Sequence, residues 1–198
     1  MRQAERSEAT RRQMLAAARR LFERRGFDGV AAEEVVALAR VTRGALYHHF
    51  EDGKVGLFRA VVEELMEEVH DRLAMEGRRG RTPLEALELG LEAFLRTTAE
   101  PGVRRILLVD GPAVLGWLAW RELDLQYGMG LLRGALQAAS ATGQLDVADV
   151  ETTTHLLAGA LVDAALRLGQ APEDRSLRRR TKAALFRLLH GLAPGDRE

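Results

Sequence analysis

The chain has 198 residues, 46% of them hydrophobic and 29% charged, a balance that suits a globular protein with a full core and argues against disorder. It contains no cysteine, which excludes disulfides and thiolate metal sites. Net charge is zero, yet residues 1–60 carry 12 Lys+Arg against 8 Asp+Glu and the remainder 17 against 21, so the positive excess expected of a polyanion-binding module lies at the N-terminal end.

The first thirty residues are charged and amphipathic, unlike a signal peptide. The longest apolar stretches, 106–120 and 156–168, are too short for a bilayer and are interrupted by Asp110 with Gly111-Pro112 and by Asp163. A cytoplasmic protein without membrane association is expected.

The first predicted helix covers Arg11–Arg25. Thr10 caps it, Gln13 reaches back at capping-box spacing, and Gly26 ends it. Met14, Leu15, Ala17, Ala18, Leu21 and Phe22 recur at helical spacing and form its buried face, opposite an arginine-rich side on which Arg11 and Arg12 could reach a phosphate. Gly26-Phe27-Asp28-Gly29 is turn chemistry. The second helix fits Ala32–Ala39, with Glu33 and Glu34 in its first turn favoured by the helix dipole and with Val35 and Leu38 facing inward.

After Arg40-Val41, Thr42 caps a third helix running from Arg43 to about Phe50. Leu46 and Phe50 are one turn apart and pack inward, which leaves Arg43, Ala45, Tyr47, His48 and His49 toward the outside. A helix this short does not form alone, so the first two helices must hold it. That is the geometry of a helix-turn-helix with its recognition helix. The chemistry of the outer face agrees. Thr42 and Tyr47 are neutral donors for phosphate oxygens, and Gly44 lets the backbone approach a duplex closely. Arg43 can read a guanine edge and Ala45 a thymine methyl. Adjacent His48 and His49 point about 100° apart on a helix and have no companion ligand spacing, so neither a metal nor another cofactor is expected.

Gly26-Phe27, Val35, Ala39, Val41-Thr42, Gly44, Leu46-Tyr47, His49-Phe50, Lys54, Leu57 and Phe58 together resemble the signature of tetracycline-repressor (TetR) family transcriptional regulators over residues 10–60. The resemblance implies that Thr42, Tyr47, His49 and Lys54 contact phosphates and that Arg43, Ala45 and His48 read bases. Three residues and a loop depart from the family pattern. Ala31 stands in place of a Ser or Thr cap, Val36 in place of a small residue and Arg40 in place of glycine, and the loop after Phe50 is one residue longer. A non-glycine residue at positive φ costs about 1 kcal/mol.

A fourth helix is predicted from Lys54 to about Met75, with an apolar stripe of Phe58, Val61, Val62, Leu65, Val69 and Leu73 and acidic residues on the other side. The basic linker 77–81 follows, and Thr82-Pro83-Leu84-Glu85 opens a fifth helix with a cap, a first-turn proline and a capping-box Glu. A short helix over Val103–Val109 is expected to end before Gly111-Pro112. From Ala113 to Ala139 the chain is apolar on nearly every side and contains both tryptophans. The run from Arg104 to Trp117 is also similar to a C-terminal subclass of the same family. Candidate pocket residues are Met66, Phe94, Asp110, Trp117, Trp120 and Tyr127.

Two final helices, from about Val147 to Leu168 and from about Leu177 to Leu192, the latter closed by Pro194-Gly195, carry apolar faces dotted with small residues. Leu157, Ala160, Leu161, Ala164, Leu185, Leu188 and Leu189 are the expected dimer interface.

The expected fold is all-α. A DNA-binding three-helix head occupies residues 1–53, and a helical regulatory, ligand-binding and dimerisation domain occupies 54–198. The expected function is that of a homodimeric, ligand-responsive repressor that binds double-stranded DNA at a near-palindromic operator and answers to a small-molecule effector. A DNA-organising or protein-interaction module without a ligand is the alternative. No nucleophile motif, phosphate loop or metal spacing supports an enzyme.

Overall fold

The structure, a computed structural model, describes residues 2–194, and no strand occurs among them. The helices in chain order are α1 (Arg2–Arg25), α2 (Ala32–Ala39), α3 (Arg43–His49), α4 (Lys54–Gly77), α5 (Pro83–Thr97), α6 (Pro101–Arg104), a π-helical turn (Arg105–Asp110), α7 (Gly111–Leu115), α8 (Trp117–Gln126), α9 (Gly128–Ala141), α10 (Val150–Gln170) and α11 (Arg175–His190). They group into two compact units. The first joins Met1–Leu65 with Pro101–Arg121, and the second joins Met66–Glu100 with Glu122–Glu198.

In the first unit α1 packs on α2, α3 and α6. Met14, Ala18 and Phe22 of α1, Val35, Leu46, and Leu57, Phe58, Val61 and Val62 of α4 are buried together at its centre. Phe22, Phe27 and Phe58 form an aromatic cluster with ring centroids 5.0 to 5.8 Å apart, two of the three pairs edge to face. α1 begins nine residues earlier than the sequence suggests. The Thr10 hydroxyl donates to the Arg6 carbonyl one turn back (2.9 Å) and so acts as a mid-helix residue instead of a cap. Leu38, expected on the inner face of α2, is 44% exposed, so Val35 and Ala39 hold that helix to the core.

Asp110 does not end a helix. The helical path continues through Gly111-Pro112 by widening into a π-turn, in which the Gly111 N–H reaches the Ile106 carbonyl. Pro112 has no N–H to offer the Leu107 carbonyl in the same i→i−5 pattern. The indole N–H of the buried Trp120 supplies the missing donor at 2.7 Å.

In the second unit α5, α9, α10 and α11 pack around Leu87, Leu91, Met129, Leu136, Leu145, Leu157, Leu161, Leu185 and Leu189. Thr82, Asp149 and Asp174 cap α5, α10 and α11 through side-chain oxygens that accept from main-chain N–H groups three residues on. The Asp149 carboxyl is held below its ordinary range, first by the Thr152 N–H. Gly195, expected to close the last helix, lies outside the described residues. No helix among the described residues is long and apolar enough to cross a membrane.

Candidate functional site

α3 is fixed from beneath and bare above. Leu46 is fully buried and Phe50 nearly so, while Arg43, Gly44, Tyr47 and His48 are exposed and Ala45 and His49 partly so. Thr42 caps the helix. Its Oγ1 accepts from the Ala45 N–H at 3.2 Å, which leaves its own hydroxyl proton free to donate outward. The Arg43 guanidinium lies 3.6 Å from Glu33 and over the Tyr47 ring. Its pKa is pushed up, chiefly by a hydrogen bond with Tyr47 and then by Glu33. The rings of His48 and His49 meet edge to face.

The turns on either side of α3 are held by identifiable contacts. Arg40 takes the left-handed conformation (φ 56°, ψ 41°), and its N–H together with that of Val41 closes the end of α2. Ala31 offers no side-chain cap, so Glu34 reaches back to its N–H at 3.0 Å. The Arg25 guanidinium grips both oxygens of Glu34 and also donates to the Gly29 carbonyl, locking α1 to α2. This pairing, with the Ala31 N–H second, lowers the Glu34 pKa to about 2. After α3, Gly53 has φ +56° and lies against Tyr47, where a Cβ would stand 2.8 Å from the ring. The loop after α3 thus supports the tyrosine directly.

The N-terminal extension of α1 changes the surface beside α3. Ala4, Arg6, Ser7 and Thr10 line a groove with Ala45, His48 and His49. Arg6 is exposed there and adds a cation to the recognition face. Sequence reasoning missed Arg6 and Ser7 because it took Thr10 for a cap. The signal available was the run of helix-favouring residues before it.

The opposite end of this unit's core is clamped by the segment 101–121. An Asp110 carboxylate oxygen accepts from the Phe27 N–H at 2.9 Å, and Arg105 donates to the Arg24 and Glu23 carbonyls at the end of α1. Contacts across some eighty residues of sequence therefore finish α1 and position Phe27.

The second unit contains a cavity of about 560 Å³, bounded by α4, α5, α8, α9 and α10. Its wall is apolar, including Leu73, Leu87, Leu91, Phe94, Met129 and Leu132, with His70, Asp124 and Arg78 as its charged or titratable side chains. Gly90 and Gly134 also line it, and a Cβ at either would meet nothing within 4 Å.

Residues 84–192 match the family model described as tetracyclin repressor-like, C-terminal domain, and residues 14–61 match that of bacterial regulatory proteins, tetR family. The chain belongs to the TetR family. A crystallised TetR-family regulator from Pectobacterium atrosepticum is 32% identical, with a TM-score of 0.83 and 98% of each chain covered. The transposon Tn10 TetC protein of Escherichia coli is 25% identical over 79% of each chain. The transcriptional regulator TtgR of Pseudomonas putida is 36% identical over 52% of this chain and 49% of its own. TetR proteins are helix-turn-helix transcriptional regulators and not enzymes, and this chain is one of them.

The TetR head brings seven of the eight expected DNA contacts, Thr42, Arg43, Gly44, Ala45, Tyr47, His48 and His49, onto or beside one outward helix. Lys54 is the exception. Its ammonium sits 3.8 Å from the centre of the Phe27 ring, a cation–π contact that a phosphate would have to share.

Of the six expected pocket residues only Phe94 lines the cavity. Met66 is buried one turn before His70 on α4, and Asp110 is bound to Phe27. Trp120 is locked on Leu107, and Trp117 is 61% exposed beside it. Tyr127 contributes its main-chain carbonyl to the His70 ring and not its side chain to the wall. Asp110, Trp117 and Trp120 lie in the segment 101–121, which belongs to the first unit. The cavity's own signal was Gly90, Gly130 and Gly134, glycines inside helices where they weaken the helix unless space is wanted.

Five of the expected dimer residues, Leu157, Leu161, Ala164, Leu185 and Leu189, are buried in the chain's own core, and Ala160 is partly buried against it. Leu188 remains 59% exposed. The outward side of α10 and α11 instead shows Leu156 at 70% exposure, Gly159, Asp163 and Leu188. Asp163 is thus exposed and needs no buried partner.

Proposed function

We propose that the chain is a homodimeric, effector-controlled repressor that acts in the cytoplasm on a near-palindromic operator. Residues 1–53 bind the DNA, and 54–198 hold the effector and the dimer contact. The observation that carries this reading is the α3 face, where Arg43, Tyr47 and His48 stand exposed on a helix whose other side, Leu46, is fully buried. Thr42 and Tyr47 hold phosphates, His49 and Arg6 add to that set, and Arg43, Ala45 and His48 face the bases.

Two such heads reach successive major grooves about 34 to 36 Å apart, or a multiple of it. The dimer forms through the outward face of α10 and α11 that carries Leu156, Gly159 and Leu188, since the inner leucines serve the monomer core.

The cavity takes the effector. Main-chain continuity links its unit to the first unit in three places: within α4 between Leu65 and Met66, between Glu100 and Pro101, and between Arg121 and Glu122. A ligand that prefers the non-binding arrangement by about 5.5 kcal/mol moves the population from 1:99 to 99:1.

Binding to operator DNA selected from the genome tests the reading. Affinity is expected to fall linearly on a log–log plot against salt, with a slope of about −0.9 per phosphate contacted. Tyr47→Ala weakens binding on every sequence, whereas Arg43→Ala relaxes preference at one base step. A flat salt response would sink the proposal.

A further inference from the structure

The cavity's polar groups specify which chemistry it accepts. Nδ1 of His70 lies 2.9 Å from the main-chain carbonyl oxygen of Tyr127. A carbonyl only accepts, so Nδ1 bears the proton, and in the neutral ring Nε2 is left with a lone pair. Among the described residues none hydrogen-bonds Nε2 and no unpartnered polar side-chain atom is sealed from solvent, so this acceptor is reachable. His70 lines the cavity. Asp124 also lines the cavity, with its Oδ1 2.9 Å from where a Cβ on Gly128 would stand. Arg78 is the cation of the lining; it is exposed and follows the last residue of α4. The remainder of the wall is aliphatic or aromatic, widened where Gly90 and Gly134 leave open space.

Taken with the effector role proposed above, on which this rests, we infer that the cavity takes a compact, uncharged, mainly apolar molecule bearing a hydroxyl or N–H donor, a phenol or alcohol, whose proton is received by Nε2 of His70. A carboxylate would set its own oxygens against the Nε2 lone pair. A fully apolar ligand would leave Nε2 desolvated and unpaired.

Calorimetric titration of the full chain with 2-naphthol, 2-methoxynaphthalene and 2-naphthoate tests this, because the three share one apolar body and differ only in donor and charge. Naphthol is expected to bind about tenfold tighter than its methyl ether, the scale of a hydrogen bond withheld from a buried acceptor, and naphthoate weakest. His70→Phe should bring naphthol down to the level of the ether and leave the ether unchanged. Gly90→Leu, which fills the cavity from a position where a Cβ meets nothing, should weaken all three. Equal affinity for naphthol and ether, tightest binding of naphthoate, or a naphthol preference that survives His70→Phe would overturn the donor assignment while leaving the effector cavity standing. Absence of binding by all three, or indifference of all three to Gly90→Leu, would overturn the cavity reading and the donor assignment with it. The comparison of naphthol with its ether on the unmodified chain keeps the test decisive even if a variant fails to fold.

Discussion

The two units treat their interiors in opposite ways. The first is filled: Phe22, Phe27 and Phe58 interlock, Trp120 is fixed by its indole, and the Arg25–Glu34 and Asp110–Phe27 contacts pin the segments that carry α3. The second retains a cavity, with glycines inside α5 and α9 where a side chain would fit. Under the proposed function, the contrast follows from what each unit recognises. A duplex presents a fixed shape, so the surface that meets it must be rigid, and its chemistry points outward. A small ligand has to be enclosed, so its site needs room and a helical frame that tolerates being occupied or empty.

Removing one aromatic ring from each unit should break the symmetry most visibly. Phe58→Ala deletes a fully buried ring that touches two others and is expected to cost about 3–5 kcal/mol in denaturant unfolding. Phe94→Ala, at the edge of existing space, should cost clearly less. Equal losses would mean that the cavity is not space the fold maintains.

Next in size is Asp110→Ala, which leaves the Phe27 N–H without its acceptor. A loss of about 1–3 kcal/mol is expected, read as a lower melting temperature, with Asp110→Asn intermediate. No change would show that 101–121 does not clamp the head.

Glycine exchanges sharpen the contrast further, since the two units use the residue differently. Arg40→Gly relieves the positive φ of the turn before α3 and should raise the melting temperature by about 2–4 °C. Gly90→Ala should stabilise α5 by about 0.5–1 kcal/mol while narrowing the cavity. A gain in the first with a loss in the second would refute the assigned roles.

The smallest effect is electrostatic. The Glu34 pKa falls from 4.5 to about 2 on folding, so its pairing with Arg25 contributes stability that is fully present above about pH 4.5 and lost as pH drops toward 2. Glu34→Gln should lower stability slightly at neutral pH, where the pairing is fully present, and converge with the unmodified chain as pH drops toward 2; an unaltered acid limb would remove the pair from the account.

The head was legible because its signals are local. Thr42 as a cap, Leu46 and Phe50 one turn apart, and left-handed Arg40 all depend on neighbours within a few residues, and all lie where the sequence places them. The N-terminal extension of α1 was missed for a local reason as well: a threonine can cap or back-bond, and spacing alone does not choose between them. In the second unit the helices were visible but their inner and outer sides were not. Leu157, Leu161, Leu185 and Leu189 have the same periodicity whether they face a sister helix or a second chain.

The sequence by itself determined an all-helical TetR-family regulator with a recognition helix at Arg43–His49, because capping, periodicity and the helix-turn-helix pattern are properties of short segments. Tertiary structure alone decided that Asp110 and Trp120 complete the first unit, that His70 and the helix glycines frame the cavity, and that Leu156 and Leu188 face outward. Those outcomes depend on which residues eighty positions apart come within hydrogen-bond or packing distance, and no local pattern encodes that.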